Sequence, residues 1–197
     1  NFQIYENYLV LETRKDGLPQ ILLFDKKNRK KSYICFKNSS YSAYLSSSLE
    51  YKSNKFNFVY SSLNTPSSIY SLNFISKKRR KLWEEKFNNF QESKYVTERI
   101  LIKARDGKEI PVSLVYKKGI NLKSSPLLMY GYGAYGLIIE PSFRLTFLPL
   151  IDNGFIFAIA HIRGGQDMGR DWYDQGRMMK KLNTFYDFID STKGLLD

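Results

Sequence analysis

Along the first 90 or so residues, hydrophobic and polar positions alternate in short runs broken by polar turns. Tyr8-Leu9-Val10-Leu11-Glu12-Thr13 leads into Asp16-Gly17, a strong hairpin signal because both positions tolerate positive φ, and Gln20-Ile21-Leu22-Leu23-Phe24 follows. Further runs occupy 31–36, 41–45 and 55–60. A turn at Asn64-Thr65-Pro66 precedes Ser68-Ile69-Tyr70-Ser71-Leu72-Asn73-Phe74, which alternates with period two, and Lys81-Leu82-Trp83 closes the series. Strands recurring about every ten residues predict a sandwich, a barrel or propeller blades. Nearly two units of four strands fit, which is compatible with a propeller, and it would be an incomplete one.

The pattern changes near residue 93. Arg99 to Ala104 and Glu109 to Tyr116, separated by Asp106-Gly107, predict another hairpin. Pro126-Leu127-Leu128-Met129-Tyr130 and Gly154-Phe155-Ile156-Phe157-Ala158-Ile159-Ala160 are almost wholly apolar, as expected of strands buried on both faces. The C-terminal stretch reads as helix, with Thr184 as N-cap, Asp187 three residues on, and Phe185, Phe188, Ile189 and Thr192 on one face. Buried strands alternating with helix and Gly-rich loops predict an α/β domain with a mostly parallel sheet. The chain is therefore expected to hold two units, 1–92 and 93–197.

Composition narrows the possibilities. The 197 residues are 43% hydrophobic, which excludes a disordered tail, and 16% aromatic, which favours β-rich packing. No apolar run approaches the roughly 18 residues of a membrane-spanning helix. The start, Asn-Phe-Gln-Ile-Tyr-Glu, has no initiator Met and no hydrophobic leader, so the chain is expected to be an internal piece of a longer one. A single Cys35 forms no disulfide within the chain and suits a reducing cytoplasm. One Cys and one His make no zinc cluster, and no phosphate-cradling motif occurs, so no metal or cofactor is expected.

The net charge of +12 is uneven: residues 1–97 carry 17 Lys or Arg against 8 Asp or Glu. That excess could mark a surface for nucleic acid or an acidic partner. The competing explanation is that Lys-rich turns keep strand edges soluble, and 26–31 and 77–81 fall where hairpin turns belong. With no RNA-binding motif beside the charge, no nucleic-acid partner is expected.

Candidate chemistry concentrates after the two apolar strands. Gly131-Tyr132-Gly133-Ala134-Tyr135-Gly136 follows the first, where α/β sheets bind ligands, and its tyrosines either offer hydroxyls to a developing oxyanion or pack a turn. His161 follows the second. It is the only histidine, and no Gly-x-Ser-x-Gly elbow accompanies it, so it reads as structural. The serines at 46–48 and 61–62 sit in turn contexts. Arg163 is expected to pair with a carboxylate or loop carbonyls, with Asp167 as a candidate, and Trp172 and Tyr173 to anchor a core or interface.

Several motifs resemble the prolyl oligopeptidase family, and within it the oligopeptidase B (protease II) branch. They are Leu127 to Gly136, Gly154 to Gly165, Trp172-Tyr173, Lys180 to Phe185, Arg105-Asp106-Gly107 with Ile110 to Tyr116, and Tyr60-Ser61-Ser62 with Thr65-Pro66. The resemblance implies β-propeller blades, all-β and incomplete, followed by the first part of an α/β-hydrolase domain. It implies a serine peptidase acting on short peptides, after Lys or Arg. Tyr132 matches the family's side-chain oxyanion donor and Tyr135 an aromatic residue lining the substrate pocket. Gly164-Gly165-Gln166-Asp167 departs from the usual Gly-Gly-Gly-Glu. The family's Ser, Asp and His triad lies beyond these motifs, so this chain is expected to be inactive alone, either as part of a longer enzyme or as a split-gene product completed by a second polypeptide, with short basic peptides as substrate of the complete protein. The alternatives are a decayed gene fragment and a non-catalytic basic binding module.

Overall fold

Asp16 and Gly17, with φ of 51° and 77°, turn the chain tightly enough to lay β2 (Tyr8–Lys15) against β3 (Leu18–Asp25) in one continuous antiparallel register. The computed structural model describes residues 1–47 and 50–196. With β1 (Phe2–Ile4) and β4 (Lys30–Tyr33), these strands make a four-stranded antiparallel sheet in sequential order. A second such sheet follows, from β5 (Ser42–Leu45), β6 (Lys55–Ser62), β7 (Thr65–Asn73) and β8 (Arg79–Glu84). The strand expected over 31–36 stops at Tyr33 rather than Phe36. Residues 34–41 instead carry Ile34, Phe36 and Tyr41 into the space between the sheets.

Period two explains why the sheets share one core. Phe56, Phe58 and Tyr60 all point to the same side of β6, where they meet Tyr5, Val10, Ile21, Leu23 and Phe74. Tyr8 stacks on Phe74 at 4.3 Å and Phe36 on Tyr60 at 5.1 Å. Each fully buried aromatic stabilises the pair by about 1.5–3 kcal/mol.

The third sheet has the order β11 (Leu127–Tyr130), β12 (Ile156–Ala160), β10 (Glu109–Lys117), β9 (Tyr95–Lys103). It is not mostly parallel as the sequence suggests: only β11 and β12 run parallel, while β12–β10 and β10–β9 are antiparallel. The reason is the tight turn at Asp106-Gly107, which can return a strand only beside its own predecessor. Nor is β11 buried on both faces, for among the described residues it pairs with β12 alone and stays half-exposed. The short α1 (Leu148–Asp152) lies between β11 and β12 in the chain, and with Leu63 of the β6–β7 turn it helps cover the face bearing Val115, Phe157 and Ile159.

The opposite face, with Ile110, Val112, Leu114 and Ala158, packs against Trp172 of α2 (Arg170–Asp174) and Phe188 of α3 (Leu182–Leu196). The helix departs from expectation. Thr184 lies inside it, and its buried face is Thr184, Asp187 and Ser191, while Phe185 and Ile189 face solvent. A buried ion pair at Asp187, described below, overrides the apolar stripe. No helix of the described residues is long and apolar enough to cross a membrane.

Candidate active site

The loop Gly131 to Gly136 leaves the carboxyl end of β11, the edge where α/β sheets present ligands. Its shape is set by how closely it lies on the segment His161 to Gly165. A Cβ on Gly133 would stand 2.4 Å from Thr184 Cγ2 and 2.8 Å from Arg163 O; a Cβ on Gly164 would stand 2.1 Å from Gly133 O. Only glycine fits at either place, and both have positive φ. The Gly136 N–H donates to Gly164 O at 3.0 Å, and Lys181 Nζ donates to Gly133 O. Tyr132 and Tyr135, the two residues singled out by sequence, therefore stand on a fixed base. Tyr132 is 40% and Tyr135 83% exposed, and Tyr135 holds φ at 55°, a conformation costing a non-glycine residue about 1–2 kcal/mol.

Arg163 does not pair with Asp167. Its Nε and Nη2 grip Asp187 of α3 at 2.8 and 2.5 Å, its Nη1 reaches Asp106 at 2.6 Å, and its own N–H donates to Asp187 Oδ2 at 2.9 Å. Asp187 is 0% and Arg163 2% exposed. The two carboxylates hold the guanidinium pKa above its ordinary value, Asp187 contributing most. Burial pushes Asp106 up, but the hydrogen bond from Arg163 and its charge more than offset this and leave the carboxyl below its usual range. The arrangement ties three segments under the Tyr132 loop, and its planar fork suits the task better than lysine would.

Asp167 binds His161 instead. His161 Nδ1 lies 2.9 Å from Asp167 Oδ1, His161 Nε2 lies 2.8 Å from Ser113 Oγ, and Ser40 donates to Ser113 Oγ at 2.5 Å. The order serine, histidine, aspartate matches the hydrogen-bond pattern of a nucleophile, its base and an orienting acid. Ser113 is no nucleophile, however: it lies in the middle of β10, paired on both sides in the sheet, and is 0% exposed. Its backbone is committed to the sheet, and no peptide can reach it.

Sequence reasoning also missed how the first two sheets meet the rest of the chain. Arg14 of β2 pairs with Glu140, Arg99 of β9 donates to Asp16 O, and Phe143 N donates to Ser61 Oγ at 3.0 Å. Burial pushes the Glu140 carboxyl up, against the pull of Arg14. These contacts join residues more than 80 apart in sequence, beyond any local pattern. A cavity of about 330 Å³ opens beside Leu114, Tyr116, Leu127 and Leu195, and one of about 200 Å³ beside Phe36, Tyr60 and Arg79; neither is lined by Tyr132. No group of three or more His, Cys, Asp or Glu among the described residues is placed to hold a metal ion. Of the serines at 46–48, Ser48 lies outside the described residues.

Comparison with known proteins completes the picture. A model described as the prolyl oligopeptidase N-terminal beta-propeller domain matches residues 1–85, and one described as the prolyl oligopeptidase family matches residues 141–197. Dipeptidyl aminopeptidase BI of Pseudoxanthomonas mexicana is 40% identical over 197 residues, 99% of this chain and 27% of that protein. Protease 2 of Moraxella lacunata is 32% identical over 195 residues, 98% of this chain and 28% of that protein. The structure of oligopeptidase B from Leishmania major superposes with a TM-score of 0.90 at 34% identity, covering 100% of this chain and 29% of that one. The chain thus spans less than a third of the length of the relatives it matches.

Proposed function

We propose a function from one premise: the chain belongs to the prolyl oligopeptidase family of serine peptidases and is related to oligopeptidase B. Its fold is accordingly propeller strands followed by the start of the hydrolase domain. In our reading residues 1–92 are propeller blades and 93–197 begin the hydrolase unit. The complete protein hydrolyses short peptides after Lys or Arg, in a reducing, cytoplasmic setting suited to a lone exposed thiol. Tyr132 donates its phenolic hydrogen bond to the oxyanion of the tetrahedral intermediate, and Tyr135 lines the pocket for the substrate side chain.

The observation that carries this reading is the Tyr132 loop, held by Gly133 and Gly164 against the 161–165 segment with its phenol half-exposed. A donor helps most when it is fixed before charge develops, since no reorganisation is then needed at the moment of reaction. The 197 residues offer no accessible serine–histidine pair, because His161, the sole histidine, is buried against Ser113 and Asp167. In our reading these 197 residues are inactive alone, and the nucleophile comes from a part of the complete protein outside them.

The test is hydrolysis of a fluorogenic Arg-Arg substrate by the chain, with and without the polypeptide encoded immediately downstream. Activity only in the mixture supports the reading; activity of the chain alone overturns the missing nucleophile. The relative at 40% identity is named a dipeptidyl aminopeptidase. Substrates with free and blocked amino termini therefore run side by side: cleavage of the blocked one marks an endopeptidase, and of the free one alone a dipeptide-releasing enzyme.

A further inference from the structure

Four buried side chains form one polar path from the blades into the third sheet. Ser40, between β4 and β5, meets Ser113 on β10, Ser113 meets His161, and His161 meets Asp167. None of the four is more than 5% exposed. Polar groups so deeply buried have to find partners, and one arrangement of protons satisfies them all. Asp167, as a carboxylate, fixes the imidazole proton on Nδ1. The Nε2 lone pair then accepts from the Ser113 hydroxyl, whose own oxygen accepts from Ser40. The other carboxylate near the imidazole, Glu140, is held by Arg14 of the first blade.

The same histidine begins the base on which the Tyr132 loop rests. Its N–H donates to Pro111 O at 2.9 Å and its carbonyl accepts from Trp172 Nε1 at 2.9 Å. Three residues on, Gly164 O takes the Gly136 N–H, and Arg163 O lies where any Cβ on Gly133 would collide. A shift of the imidazole is thereby passed along rigid backbone to the loop that carries Tyr132.

We propose that Ser113, His161 and Asp167 are positioning residues. They lock the 161–165 segment, and through it the Tyr132 phenol, in register with the blades by way of Ser40. The consequence for peptide hydrolysis rests on the reading of Tyr132 as oxyanion donor, whereas the mechanical coupling is measurable without any activity.

The test uses the 197-residue chain, where His161 gives the only imidazole signals in nitrogen-detected NMR. The expected spectrum is a single neutral tautomer protonated at Nδ1. The opposite tautomer, or rapid averaging between the two, overturns the proposal with no variant needed. In the second arm, Ser40→Ala removes a hydroxyl on the blade side, and hydrogen exchange at the Gly136 amide should quicken about fivefold, the scale of one hydrogen bond. Ser113→Ala should do the same or more, and Ser76→Ala, in an exposed turn of the second blade, should do nothing. Unchanged Gly136 exchange in folded Ser40→Ala refutes the coupling, and should Ser113→Ala fail to fold, the wild-type spectrum and Ser40→Ala still decide. If Tyr132→Phe leaves peptide hydrolysis by the complemented enzyme untouched, the donor reading falls while the coupling stands.

Discussion

Replacing Asp187 by Asn is the sharpest probe of how the site is held. Both carboxylate oxygens are engaged, Oδ1 with Arg163 Nη2 at 2.5 Å and Oδ2 with Arg163 Nε at 2.8 Å and Arg163 N at 2.9 Å. An amide in its place sets an NH₂ against guanidinium donors and leaves a buried cation short of a charge. Breaking such a pair costs about 3–5 kcal/mol. Arg163 retains Asp106, whose side chain is 40% exposed and so screened by solvent, which puts the expectation at the low end, about 3 kcal/mol. With a urea slope of about 3 kcal/mol/M, reasonable at this size, the midpoint falls by about 1 M. Tryptophan fluorescence follows it well, since Trp172 is buried in the affected core within 5.9 Å of Arg163. A Trp83→Phe background removes the exposed second reporter. The control is Asp174→Asn, whose partners Arg170 and Arg177 are 65% and 41% exposed; screening limits that loss to a few tenths of a kcal/mol. A midpoint shift under about 0.3 M for Asp187→Asn, or one equal to the control, would refute the view that this pair fixes the loop's base.

Tyr132→Phe should leave the fold unchanged and lower kcat of the complemented enzyme roughly 10²–10³-fold, the effect of losing one oxyanion donor; an unchanged kcat removes Tyr132 from the chemistry. The hydrogen bonds from Arg105 hold the Asp190 carboxyl down to about 2. A depressed acid contributes stability that is complete above its ordinary value of 3.8 and disappears as pH falls toward 2, so Asp190→Asn should flatten acid unfolding in that window, read by circular dichroism. At the other extreme, burial is the largest cause raising the phenols of Tyr60, Tyr95 and Tyr116 to about 12. Their protonated forms favour the folded state, so stability should decline as pH rises from 10 to 12, read by circular dichroism.

The strand-rich half was legible in the sequence because its cause is local. Alternation at Phe56, Phe58 and Tyr60 and the turn at Asp16-Gly17 act over a few residues, and the structure keeps both. The short β1 and the five-residue helices α1 and α2 left no such trace, since three to five residues hold barely one period and show no repeat. The third sheet misled for a different reason. An apolar run reports burial, not direction, so β11 and β12 suggested a parallel sheet, although the Asp106-Gly107 turn already required an antiparallel pair.

For the site, the positions were legible and the partnerships were not. Glycines at 131, 133 and 136 after an apolar strand marked the loop, and the motif resemblance singled out Tyr132 and Tyr135 within it. What holds them depends on partners remote in sequence. Asp167, four residues beyond Arg163, looked like its counter-ion, yet Arg163 closes on Asp187 and Asp106, 24 and 57 residues away, and leaves Asp167 to His161. The same exchange explains the helix. Once Asp187 must meet a buried guanidinium, its side of α3 faces inward, and Phe185 and Ile189 are turned to solvent against their hydrophobic preference. Burying a charge is tolerable only with its partner in place, whereas exposing an apolar side chain forfeits about 1.5–3 kcal/mol, so the ion pair sets the rotation of the helix and the apolar stripe yields.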